Sequence, residues 1–323
     1  MTVYKAIQGF AVQNVAGDPT INEGQVWYNS TTAAFRLSKG PVANAWASSP
    51  NLNTGRRDFG SSGSATSNLI FGSFPTSDVT ESWNNTAWTT VSNLVTARAT
   101  QGAGGNNTDA VAMGGYTTTA VGTTETWNGS WTTGNPMTTA RYSAGASGGS
   151  SSGSLIFGGS GSATTGLATE SYNGSWTNKG ALSTSVSNNT GGGTQDKSLS
   201  IGGPSARTTV ERTINGGATW AAVQSLNTGR QDGGFSGDEA TGGSIFYGGE
   251  NPASSLAATE QWNGSNTWTT VNSLANARKL VGSNSAGNAT SGLCAGGTNP
   301  STANINSVES WGPGGGTKTI SIS

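Results

Sequence analysis

The chain of 323 residues contains no histidine and a single cysteine, Cys294. Without imidazole there is neither a Ser-His-Asp triad nor a histidine-ligated metal centre. A lone thiol closes no internal disulfide; in the run Leu293-Cys294-Ala295-Gly296-Gly297 it reads as a small buried side chain at a strand end. Charge is scarce and balanced, with 15 Lys and Arg against 16 Asp and Glu and a net charge of −1. No basic cluster exists to displace counterions, so nucleic acid is not an expected partner. Apolar runs are short, far below the ~18 residues of a membrane-spanning helix, so no membrane insertion is expected. The opening Met1–Phe10 lacks the charged-then-apolar pattern of a secretory leader, which points to synthesis in a cytoplasm. Leu, Ile, Val and Phe together make up under 15% of the chain, a level that by itself suggests disorder.

What is present argues the other way. There are 11 Trp and 51 Gly, and the apolar residues recur in register. The stretch Ala257–Arg278 repeats with small edits at Thr80–Arg98, Thr124–Arg141 and Thr169–Val186. A degenerate copy runs over Val210–Arg230, and a truncated one begins at Val308. Its acid recurs at Glu81, Glu125, Glu170, Glu211, Glu260 and Glu309, in steps of 44, 45, 41, 49 and 49 residues. Each unit has four beats: an Arg with a small-residue run, an apolar run ending in glycines, a Thr-Glu-x-aromatic strand, and a Trp strand after a turn. Alternation has period two, and Asn128-Gly129, Asn173-Gly174 and Asn263-Gly264 are hairpin-turn dipeptides. Four short strands per repeat of this length make one antiparallel propeller blade. The expected fold is all-β, a six-bladed propeller of four-stranded antiparallel blades.

The ends predict how the wheel closes. The sixth copy supplies Arg278, Leu293–Gly297 and Glu309-Ser310-Trp311, then gives out. The missing strand is at Ala45–Ser48, so an N-terminal strand should complete the last blade and remove exposed edges. Residues 1–40 fall outside the repeat as an extension containing a hairpin over Gly24–Leu37. Residues 41–312 form the propeller, and 313–323 a C-terminal tail.

Arg56, Arg98, Arg141, Arg230 and Arg278 each follow a Leu or Met by four residues; Val186 breaks the series. One Glu and one Arg per blade suggest repeated buried ion pairs that set register more than they add net stability. Pairing of Glu309 with Arg56 across the closure is the specific expectation. The rival reading, a ring of charges lining a ligand site, is weaker, because a site rarely asks for the same residue on every blade. The aromatics Trp83, Trp88, Trp127, Trp131, Tyr172, Trp176, Trp262, Trp268 and Trp311 occupy fixed positions, which favours packing between blades over carbohydrate stacking.

The Arg-led first strand, glycine-ended second strand and acidic-aromatic third strand resemble the kelch-type propeller repeat over about residues 45–311. The flank Glu23–Leu37, with its Asn-Gly-Ser-Trp-Thr and Thr-Glu-Ser-Trp blades, resembles kelch-like virion proteins of tailed phages, particularly those of marine bacteria. That resemblance implies a non-enzymatic interaction platform on a virus particle: a tail-fibre or baseplate-associated protein presenting the propeller for host-surface recognition or adhesion. Capsid decoration without receptor binding is the alternative. Residues 1–40 would dock to other virion proteins, the outer partner would be a host surface glycan or protein, and oligomerisation on the particle is expected. Made in the host cytoplasm, the protein would reside in the virion.

Catalysis finds little footing. Thr213–Trp220 resembles a sialidase-type Asp-box hairpin, with Asn for Asp, but one copy is a turn motif. A glycosidase needs paired carboxylates, and Asp109, Asp196, Asp232, Asp238, Glu239 and Glu250 suggest no pair. Copper-radical chemistry, known in one kelch oxidase, needs histidines. The sequons at Asn84, Asn128, Asn173 and Asn263 read as hairpin turns. No catalytic residue, metal or cofactor is expected, and a glycan-active enzyme is a distant third reading. The loops between first and second strands vary most and carry unmatched polar residues, which makes Asn106, Asn107, Asp109, Asp196, Lys197, Asp238, Glu239 and Asn288 the candidate recognition positions.

Overall fold

A computed structural model describes residues 13–16, 26–38, 44–238, 243–282, 289–313 and 317–320. The chain divides into two compact units: Ala45–Gly312, and a smaller one made of Met1–Asn44 with Pro313–Ser323. Among the described residues every regular element is a strand.

In the smaller unit, Gln13–Val15 pairs in parallel with Val26–Asn29, which pairs antiparallel with Ala34–Ser38. Val26 is in register with Leu37 and Tyr28 with Phe35. Asn29 closes the turn by accepting from the backbone N–H of Thr31 and Thr32 at 3.1 and 3.0 Å. The C-terminal segment, expected as a separate tail, pairs through Thr317–Ile320 with Ala34–Ser38. Its β-branched Thr317, Thr319 and Ile320 suit a strand. Both chain ends therefore build this one sheet.

The larger unit is six antiparallel sheets. Sheet I takes Gly60–Gly63, Asn68–Ser73, Ser77–Trp83 and Trp88–Val91; sheet II takes Gly102–Gly105, Ala110–Met113, Thr124–Trp127 and Trp131–Thr133. Sheet III takes Gly145–Ser150, Gly153–Phe157, Thr169–Tyr172 and Trp176–Asn178; sheet IV takes Thr190–Gly193, Ser198–Ile201, Val210–Thr213 and Ala221–Val223. Sheet V takes Gly234–Asp238, Gly243–Tyr247, Thr259–Trp262 and Trp268–Val271. Sheet VI is made of Gly292–Ala295, Val308–Gly312 and the N-terminal Ala45–Ser49, with Trp311 opposite Trp46 and Glu309 opposite Ser48. The expected innermost strand of sheet VI falls at 283–288, outside the described residues.

Strand composition follows position. Second strands such as Leu69-Ile70-Phe71 are buried along their whole length, because a neighbouring sheet covers each face. The third strands of sheets II, IV and V are buried but for one position: in Thr124–Trp127 only Thr126 is half-exposed, and Thr169–Tyr172 of sheet III is buried throughout. The outer strands of sheets I, II and V bury one residue, Trp88, Trp131 or Trp268, and turn Thr to solvent. Innermost strands are glycine-rich because the sheets converge there: a Cβ on Gly192 would lie 1.9 Å from the Phe235 ring.

The apolar core is six wedges, one per seam. Leu69 and Phe71 of sheet I meet Ala110, Trp127 and Trp131 of sheet II. At the closing seam Ile70, Trp83 and Trp88 of sheet I meet Leu293 and Val308 of sheet VI. The tryptophans fill these wedges, as fixed periodicity implies: Phe71 and Trp131 lie edge-to-face at 4.6 Å. Outer-strand indoles also reach across the seam. Trp131 donates to Thr80 at 3.0 Å, Trp176 to Thr124 at 3.0 Å, Trp220 to Thr169 at 3.1 Å and Trp46 to Thr259 at 2.9 Å.

Candidate axial site

Five buried ion pairs join Arg56 to Glu81, Arg98 to Glu125, Arg141 to Glu170, Arg230 to Glu260 and Arg278 to Glu309. The expectation that Arg56 pairs with Glu309 is overturned. Each arginine lies on the segment that crosses from an outer strand to the next sheet, so it meets the third strand of that next sheet. Backbone N–H groups complete each carboxylate: Glu125 accepts from Val95 at 2.7 Å and Thr96 at 3.1 Å besides Arg98 at 2.7 Å. Burial lowers the proton affinity of the Arg56, Arg98, Arg141 and Arg230 guanidinium groups, against the attraction of their partners; Arg230 falls only to about 10 and stays charged at neutral pH. Glu211 receives Ser183 and Thr184 N–H at 2.8 and 3.1 Å, with Val186 where the arginine would be. These buried charges tie each crossing segment to the sheet that follows it.

The loop candidates do not converge. Asn106 builds its own turn, accepting from Thr108 and Asp109 N–H at 2.9 and 3.0 Å. Asn107 donates to Ser82 at 3.4 Å and its carbonyl receives the Trp127 indole at 3.0 Å. Asp196 is exposed, and its carbonyl accepts from Gly216 N–H at 3.2 Å. Lys197 donates its N–H to Thr194 Oγ1 at 3.2 Å. Asp238 ends an inner strand opposite Gly243. Glu239 and Asn288 lie outside the described residues. Asn106, Asn107 and Asp109 share one hairpin, and Asp196 and Lys197 another, two sheets away.

Convergence occurs at the other end of the inner strands. Two residues after each crossing arginine, or after Val186, come Asp58, Thr100, Ser143, Asn188, Asp232 and Leu280. All six are left-handed, with φ between 49° and 58°. That conformation turns each N–H toward the carbonyl of a neighbouring sheet's residue. Thr100 donates to Asp58 at 2.8 Å, Ser143 to Thr100 at 3.0 Å and Asn188 to Ser143 at 2.8 Å. Asp232 donates to Asn188 at 3.2 Å, Leu280 to Asp232 at 2.8 Å and Asp58 to Leu280 at 3.2 Å. The hydrogen bonds close on themselves. The larger unit is a six-bladed β-propeller.

Solved structures agree on the fold. The propeller is similar to the protein of "Structure of YjhT", with a TM-score of 0.64 and 14% identity over 80% of this chain and 95% of that one. No protein-family model matches the chain, and no curated protein does.

Inside the hydrogen-bonded ring lies a cavity of about 110 Å³. Asp58, Thr100, Gln101, Ser143, Asn188 and Asp232 contribute its polar lining. Sequence reasoning suggested no carboxylate pair; the propeller brings Asp58 of blade I and Asp232 of blade V to one cavity. Burial pushes the Asp58 carboxyl up to about 6, against Arg57 and Lys279. Burial, with repulsion from Asp58, pushes Asp232 up to about 7. Asn188 Nδ2 donates to Asp232 Oδ2 at 3.4 Å, and Arg57 Nε lies 3.6 Å from Asp58 Oδ2. Lys279 is held by Glu250. The detectable signal for this site is the position two after each arginine, which carries a polar side chain in five of six blades; only φ reveals why.

Proposed function

We propose that this chain is a virion structural protein of a tailed bacteriophage, a kelch-type propeller presented for adhesion to the host surface. The observation that carries the reading is that segments from both ends of the sequence build one small sheet, Gln13–Val15, Val26–Asn29, Ala34–Ser38 and Thr317–Ile320. In this reading that unit anchors and the propeller is displayed. Support comes from the likeness of Glu23–Leu37 and the blades to phage virion proteins. The loop face adds to it. Its turns are fixed by their own side chains, as at Asn106 and at Asn263, whose Oδ1 accepts from Ser265, Asn266 and Thr267 N–H at 3.0 Å each. A rigid disc with variable loops suits weak contacts multiplied by copy number. The proposed role is non-enzymatic.

Immunogold electron microscopy of purified particles tests the assignment: label is expected at the tail tip or baseplate. Label on the capsid would replace adhesion by shell decoration, and absence from particles would overturn the virion reading. Beads coated with the full chain should retain host cells. Failure at high coating density would remove the adhesive role, and depolymerisation of host polysaccharide would overturn the non-enzymatic one.

A further inference from the structure

We propose that Asn128 is a self-modification site, at which the folded chain converts the side-chain amide, without an enzyme, to aspartate and isoaspartate. The Gly129 backbone nitrogen gives up its proton to base and attacks Asn128 Cγ. A C–N bond forms, Nδ2 leaves as ammonia, and a five-membered succinimide results. Water then opens the ring at either carbonyl. The net change is uptake of water, loss of ammonia and gain of a carboxylate. Two groups must be free for this: the Asn side chain, which swings onto the backbone, and the glycine N–H, which becomes the nucleophile.

The chain carries four Asn-Gly pairs, at Asn128, Asn173, Asn215 and Asn263. All four asparagines are exposed and lie in the turn between a third and a fourth strand. The hydrogen bonds of each turn therefore decide between them. Asn263 Oδ1 accepts from Ser265, Asn266 and Thr267 N–H and from Ser265 Oγ, each at 3.0 Å. Asn215 is held at both ends of its amide: Oδ1 accepts from Thr219 N–H at 3.0 Å and Nδ2 donates to Thr219 Oγ1 at 2.9 Å. Its nucleophile is committed too, since Gly216 N–H donates to Asp196 O at 3.2 Å. Asn173 Oδ1 accepts from Ser175 Oγ at 3.3 Å, and Asn135 Nδ2 fixes that turn by donating to Gly174 O at 2.9 Å.

At Asn128 these restraints are missing. Among the described residues, its side chain has no hydrogen-bond partner and Gly129 N–H donates to no protein group. A Cβ on Gly129 would meet no atom within 4 Å, so the peptide has open space around it. The turn's own tie is Asn128 N–H to Ser130 O at 3.3 Å. Its ends stay fixed by the pairing of Trp127 with Trp131, so the motion needs no unfolding of the blade. The Trp127 indole donates to Asn107 O at 3.0 Å, which sets this turn beside the Asn106–Asp109 hairpin. Conversion adds a negative charge there, in a chain whose net charge is −1. The reaction does not depend on the adhesive reading of that loop face.

The test incubates the full folded chain in mildly alkaline buffer, digests samples in acid, and follows all four sites by peptide mass spectrometry. Asn128 should convert fastest, about tenfold or more ahead of Asn215 and Asn263, whose restraining hydrogen bonds must first break. Asn173 should fall between. In urea, with the turns gone, the four rates should converge. Any of the other three converting as fast as Asn128 in the folded chain would overturn the proposal. So would an intact Asn128 after the urea-unfolded chain has converted, or the same spread of rates in urea, which would assign the ordering to sequence. Absence of the protein from particles leaves all these outcomes unchanged, so the two readings fail separately.

Discussion

At the scale of single residues, the repeat acts as its own control. Thr80, Thr124, Thr169 and Thr259 each receive an indole N–H from the next blade. Blade IV has Val210 at that position, and the Trp268 Nε1 it should receive is buried without a partner. In blade VI the equivalent Val308 is bypassed, because Trp88 donates to Pro50 O at 3.1 Å instead. An unmade buried hydrogen bond costs about 1–3 kcal/mol, part of which is offset here by the valine methyl. Val210→Thr should therefore stabilise the protein by about 1 kcal/mol, a rise of about 2 °C in Tm by calorimetry. The matching change Val308→Thr supplies a hydroxyl to an indole already satisfied and should gain nothing.

At the scale of elements, the closing strand Ala45–Ser49 carries more than its length suggests. It has no ion pair to its own blade, since Arg56 reaches forward to Glu81. Closure rests on the ladder to Val308–Gly312 and on Trp46, whose ring lies 4.8 Å from Tyr247 and 5.5 Å from Trp311. The indole also bridges to blade V at Thr259. Trp46→Ala removes a half-buried ring from two blades at once, with an expected loss of about 2–3 kcal/mol, below the ~3–5 of a fully buried aromatic. Urea denaturation measures it. An equal loss is not expected from Ala47, whose side chain is exposed.

At the scale of the whole molecule, the axis concentrates what the six blades share. Asp58 and Asp232 have carboxyls pushed up to about 6 and about 7 by burial, so the folded state favours their protonated forms. A raised carboxyl stabilises fully below its unfolded value near 3.8 and loses that contribution as pH rises through the folded value. This part of the stability should decline between about pH 4 and 7. Asp232→Asn should flatten the decline, read as Tm against pH in wild type and variant. A steeper slope in the variant would show that the carboxylate is stabilised, not strained, in the wheel.

Glycine-ended apolar runs, Asn-Gly turns and a 41–49-residue step dictated strands, blades and their number, because each blade repeats one local pattern. The split sixth blade was legible for the same reason: a missing strand at one end matched a spare one at the other. The pairing of Arg56 with Glu81 was not, since periodicity fixes that partners exist but not whether the chain reaches back or forward. Nor was the axial cavity. Asp58 and Asp232 are 174 positions apart, and only closure of the wheel, with six left-handed residues passing hydrogen bonds around it, brings their carboxylates to one space.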